Sequence, residues 1–176
     1  MNMHKNKFNL KNKKGIVLIG MAGAGKSTVG KILAKKLGFE FIDGDKLIED
    51  CEKMKIQDII NIKGEYYFSE IEENLLMRLA PMNKKIISPG GSIVYSKKLM
   101  DFFRKNFFVI WLDVPFFIIE KRVARKSDRK IIFRGKKTLK EVFYDRRDLY
   151  KKYFDVRIDC RRLPSSAVIK VILEKI

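Results

Sequence analysis

Residues 16–28 read Ile-Val-Leu-Ile-Gly-Met-Ala-Gly-Ala-Gly-Lys-Ser-Thr, an apolar run that meets Gly20, four further residues and then Gly25-Lys26-Ser27. This is the phosphate-binding loop pattern, and it constrains the chain on both sides because such a loop joins a strand to a helix. Glycines let backbone N–H groups curl around phosphate oxygens, and a helix opening near Lys26 turns its positive dipole end toward them. Lys26 supplies a point charge for the outer phosphates. Ser27 offers a hydroxyl to a magnesium ion bridging the same phosphates, and Thr28 is a second hydroxyl nearby. The implied ligand is a nucleoside triphosphate.

The rest of the chain repeats the strand–helix alternation. Apolar runs bounded by turns recur at 15–20, 39–43, 85–88, 107–112 and 155–159, a rhythm that predicts a parallel sheet. Helical patterns fall at 26–37, 45–61 with a break, 65–79, 96–104, 116–125, 138–150 and 165–175, with Gly38 and Pro81 as stop signals and Ser165 as an expected cap. Crossover helices on both faces give a three-layer α/β/α domain. At 176 residues and 46% hydrophobic content, one domain over 15–176 is expected, preceded by a basic, solvated tail over 1–14 that holds the single His4.

The net charge of +18 raises the question of nucleic acid, and a nucleotide-gated RNA-binding protein is one reading of it. The basic residues are spread from end to end, however, and aromatic-rich RNA-binding signatures are missing, so a nucleic acid partner is not expected. Cys51 and Cys160 lie far apart without metal-ligand spacing, which suits a reducing cytosol. The most apolar run, 107–119, is broken by Asp113 and Pro115. No membrane span or signal peptide is expected, and the protein is read as cytoplasmic.

Two further segments face the loop's end of such a sheet. Strand two ends Phe41-Ile42-Asp43-Gly44-Asp45; Asp43 is a candidate for a magnesium-bound water, and Asp45 for accepting the proton of an attacking hydroxyl or for capping the next helix. Strand three ends Ser88-Pro89-Gly90-Gly91-Ser92, a turn that permits close approach of a small ligand or merely connects. Residues 126–137 fit neither period and are rich in Lys and Arg. They read as a charged lid or as a solvated loop.

Taken with Gly64-Glu65, Phe68, Glu72 and Asp145-Arg146-Arg147-Asp148-Leu149-Tyr150, these motifs in this order resemble the shikimate kinase family along almost the whole chain. The resemblance implies a P-loop kinase fold with a five-stranded parallel sheet of order 2-3-1-4-5, ATP and Mg2+ as cofactors, and transfer of the γ-phosphoryl to the 3-hydroxyl of shikimate; a monomer is expected. It puts Gly23, Ala24, Gly25, Lys26, Ser27 and Thr28 around the phosphates and Arg125 against adenine. Asp45 would bind and deprotonate the acceptor, Gly90 and Gly91 would contact ring hydroxyls, and Arg146 would hold the carboxylate. Asp43 and Ser27 would serve the metal, while Arg129 in the lid, with Lys26 and Asp45, would carry catalysis. One position departs: Ser69 stands where the family has a second carboxylate-binding arginine. A charge-assisted contact of that kind is worth about 1.5–3 kcal/mol, so the departure predicts a weakly held shikimate or a different small hydroxyl acceptor, with Arg78, Arg147 or a lid arginine as compensating cations.

Overall fold

The structure, a computed structural model, describes residues 10, 12–79, 81–125, 131, 135, 138–161 and 163–176. Most of the expected tail (1–9 and 11) and of the charged segment (126–130, 132–134, 136 and 137), Arg129 included, lies outside the described residues.

β1 (Gly15–Ile19) is buried along its full length because it is the middle strand of a five-stranded sheet ordered β2-β3-β1-β4-β5. Every neighbour is parallel: β2 (Glu40–Asp43), β3 (Lys85–Ser88), β4 (Phe108–Asp113) and β5 (Val156–Asp159). Strands covered on both faces need continuous apolar sequence. β1 and β4 have it, whereas edge strands β2 and β5 carry Glu40 and Arg157.

The helices are α1 (Lys26–Leu37), α2 (Gly44–Glu52), α3 (Ile56–Met77), α4 (Lys97–Asn106), α5 (Phe116–Ala124), α6 (Leu139–Tyr150) and α7 (Ser165–Lys175), with a 3-10 turn at Gly91–Tyr95. They enclose one main core around Ile16–Ile19, Leu33, Phe103, Val109–Leu112 and Ile169, completing the three-layer arrangement. Among the described residues no helix is long and apolar enough to cross a membrane.

The break expected within 45–61 falls at residues 53–55, where Lys53 adopts a left-handed φ of 52°. Two local expectations change. The two patterns on either side of Gly64 join into α3, which kinks there (φ 87°, ψ 165°), a conformation open to glycine. A satellite core of Ile48, Ile59, Ile60, Phe68 and Leu75 straddles the kink, so tertiary packing keeps both halves of α3 against α2. Finally, Ser165 is the first residue of α7, and Pro164, whose side chain offers no cap, occupies the capping position.

Candidate active site

The carboxyl ends of β1, β2 and β3 open into one cleft of about 410 Å³, the position where open parallel sheets bind ligands. On one side stands the phosphate loop. Gly25, at φ 93°, leads into α1 with no side chain capping its amides, so the helix's positive end faces the cleft. Lys26 is only 9% exposed, and its Nζ donates to the carbonyls of Gly20 (2.8 Å) and Met21 (3.1 Å). Gly23, Gly25, Lys26, Ser27 and Thr28 line the cleft, while Ala24 packs into the core beneath. Arg125, closing α5, lines the mouth. Beside it stands Arg122, which donates to the Gly23 carbonyl at 2.9 Å. Sequence reasoning missed Arg122 among many basic residues, although its spacing of three from Arg125 puts both on one helical face.

Opposite lies the second half. Asp45, Gly90, Gly91 and Arg146 line the same cleft, with Ile56, Ile60 and Phe68 as an apolar wall. The carboxylates of strand two divide their work. Asp43 caps α2, its Oδ1 accepting from the Asp45 and Lys46 amides at 3.2 and 3.5 Å, so the capping role considered for Asp45 belongs to Asp43. Asp45, in the first turn of α2, reaches the cleft. Asp43 pairs in register with Ser88, and Ser88 Oγ lies 3.3 Å from Ser27 Oγ, which gathers a carboxylate and two hydroxyls at the sheet edge.

Arg146 is 2% exposed, projecting from α6 toward the glycine turn: a Cβ built on Gly91 would lie 3.3 Å from its Nη1. Tyr150, one helical turn on, donates its hydroxyl to the Gly91 carbonyl at 2.6 Å. Arg147 faces elsewhere. Its Nε and Nη2 bind the Asp113 carboxylate at 3.3 and 3.0 Å, and Arg157 binds the same carboxylate. Arg147 therefore ties α6 to the ends of β4 and β5 and does not compensate for Ser69. Neither does Arg78, which caps the far end of α3. Ser69 donates to the Glu65 carbonyl at 2.9 Å and lines a separate groove with Glu70, Glu73 and Lys98. Among the described residues the cleft's cations are Lys26, Arg122, Arg125 and Arg146; the first three belong to the phosphate side, and Arg146 serves the glycine turn.

Glu72 completes this end. It is 3% exposed, and a Cβ built on Gly90 would approach its Oε1 to 2.7 Å. Burial above all, then the nearby Asp45 carboxylate, raises its carboxyl from the ordinary 4.5 to about 8, against the pull of the Gly90 amide, Arg146 and Lys26. A carboxyl raised this far holds its proton at neutral pH. The thiols take no part: burial pushes Cys160 up to about 12, and Cys51 is on the surface.

Fold and cleft together define a P-loop kinase of the three-layer α/β/α kind, with the phosphate loop and a second pocket of Asp45, Gly90, Gly91 and Arg146 in one space. The shikimate kinase family model matches residues 22–176. Similar proteins include the shikimate kinases of Sulfurihydrogenibium sp. strain YO3AOP1, 38% identical over 93% of this chain and 98% of that one, and of Persephonella marina, 36% identical over 93% and 99%. Among solved structures, the shikimate kinase from Acinetobacter baumannii in complex with shikimate superposes with a TM-score of 0.85 at 27% identity, covering 93% of this chain and 92% of that one. The chain belongs to the shikimate kinase family.

Proposed function

We propose that this enzyme transfers the γ-phosphoryl group of ATP to the 3-hydroxyl of shikimate. One observation carries the reading: a single cleft holds the phosphate loop on one wall and, on the other, a carboxylate, a glycine turn and one buried arginine, Arg146. A triphosphate laid on the loop amides and Lys26 points its terminal phosphorus into that space. Arg146 takes the acceptor's carboxylate, Gly90 and Gly91 take its ring hydroxyls, and Asp45 accepts the proton of the attacking hydroxyl. The new bond joins that oxygen to phosphorus as the bond to the departing ADP breaks, with no covalent enzyme intermediate. The Ser27 hydroxyl, with the Asp43 carboxylate acting through water, would hold a Mg2+ ion that keeps part of its hydration shell, and that ion would supply neutralisation of phosphate charge. Arg125 packs on adenine, and Arg129, in the lid over 126–137, stabilises the transferring group. The enzyme works as a monomer in the cytoplasm, since one chain supplies both halves of the cleft and neither cysteine is bonded.

A different hydroxyl acceptor, the alternative raised by Ser69, is not favoured, because relatives matched along nearly their whole length are shikimate kinases. The test is shikimate-dependent ADP release with Mg-ATP, for the wild type and Asp45→Asn. Turnover with shikimate that falls by about a hundredfold in the variant is expected for loss of a positioned base. No shikimate-dependent ADP from the wild type would sink the proposal.

A further inference from the structure

Arg146 must present a flat guanidinium at a fixed angle, yet an arginine side chain loses substantial rotamer freedom when held still. What holds it is not on its own helix. Tyr95, the last residue of the 3-10 turn that begins at Gly91, places its ring 5.4 Å from Arg146 Cζ, within cation–π range. The same side chain donates its hydroxyl to Asp145 Oδ2 at 2.6 Å. One tyrosine thus touches two consecutive residues of α6: its ring lies beside the Arg146 guanidinium, and its hydroxyl bonds Asp145 and Arg146 alike.

We infer that Tyr95 is a positioning residue for the acceptor: its ring backs the Arg146 guanidinium, and its bond to Asp145 locks α6 to the glycine turn. Burial, then the Asp145 carboxylate, holds the phenol above its ordinary range, so it remains a donor at any working pH. Tyr95 and Tyr150 make two ties between the turn and α6, and the turn carries Gly91 while the helix carries Arg146. Their spacing sets the width of the acceptor pocket at its carboxylate end, and rigid spacing keeps binding energy from being lost to ordering.

The inference rests on Arg146 holding the acceptor carboxylate, and the experiment separates the two. Wild-type turnover with shikimate tests that base reading; Tyr95 is tested by steady-state kinetics of Tyr95→Phe, Tyr95→Leu, Asp145→Ala and the Tyr95→Phe/Asp145→Ala double variant. Tyr95→Phe keeps the ring and loses the tie, so KM for shikimate rises about fivefold; Tyr95→Leu loses both and raises it about thirtyfold. In each, kcat and KM for ATP stay at wild-type values. Asp145→Ala removes only the Tyr95–Asp145 bond, so it raises KM for shikimate no more than Tyr95→Phe does, and the double variant matches Tyr95→Phe alone. An unchanged KM for shikimate in Tyr95→Leu, an equal rise in KM for ATP, or additive effects in the double variant would overturn the inference. The near-isosteric Tyr95→Phe and the surface-side Asp145→Ala keep the test open if Tyr95→Leu does not fold.

Discussion

Replacing Glu72 by Gln removes a buried carboxyl whose proton affinity the fold raises, and the consequence for stability can be worked out in sign and size. In the native state Glu72 titrates at about 8, against 4.5 for an ordinary Glu. Between those values the folded chain holds a proton that the unfolded chain has released, so wild-type stability is fullest below the unfolded value and declines as pH rises toward the folded one. Each pH unit in that window is worth up to about 1.4 kcal/mol. From about pH 5.5 to about pH 7.5 the contribution lost is thus about 2–3 kcal/mol, allowing for partial ionisation at the upper end. Gln keeps the shape and cannot ionise, so the variant lacks this slope. Urea unfolding of both proteins across that range gives the comparison, because titrating groups not coupled to Glu72 cancel in the difference. The stability of Glu72→Gln relative to wild type should climb by about 2–3 kcal/mol between the two pH values. A difference that stays flat with pH would refute the assignment of a shared, desolvated environment to Glu72 and Asp45.

Further expectations concern the rest of the cleft. Lys26→Ala and Arg129→Ala should each lower kcat by about a hundredfold or more, the usual effect of removing one preorganised donor at a transferring phosphoryl group; near-normal turnover in either, measured by ADP release, would remove that residue from the mechanism. Gly90→Ala should destabilise by about 1–3 kcal/mol and weaken shikimate binding together. The cause is crowding, since φ at Gly90 is −57°, open to any residue, while the added Cβ would meet Glu72 Oε1 at 2.7 Å. Relief of both defects in a Gly90→Ala/Glu72→Ala double variant, followed by thermal unfolding and KM, would verify the contact; no relief would place the fault elsewhere.

Much of the site could be read before any fold was seen, for an identifiable reason. The phosphate loop is local: a strand, a glycine-rich turn and a helix start adjoin in sequence, so residue order carries the geometry of Gly23–Thr28 almost unaided. The same holds for the five apolar runs, whose lengths and spacing imply a parallel sheet. What the residue pattern alone left open, and only the family resemblance assigned, depends on contacts between distant segments. Asp43 and Asp45 are two residues apart and chemically alike, and only the entry angle of α2 makes one a cap and the other part of the cleft wall. Arg146 and Arg147 are adjacent in one motif, yet helical rotation sends the first into the cleft and the second to Asp113.

The amino-acid order by itself therefore determined the architecture and the triphosphate cradle, because those rest on hydrophobic period and on backbone chemistry within a short stretch. Tertiary structure decided which of several equivalent charges would act. The raised proton affinity of Glu72 comes from burial beside Asp45, and the hold on Arg146 comes from Tyr95, some fifty residues away in the chain. Desolvation and cation–π contact are properties of a place in space, and no reading of neighbours along the chain could supply them.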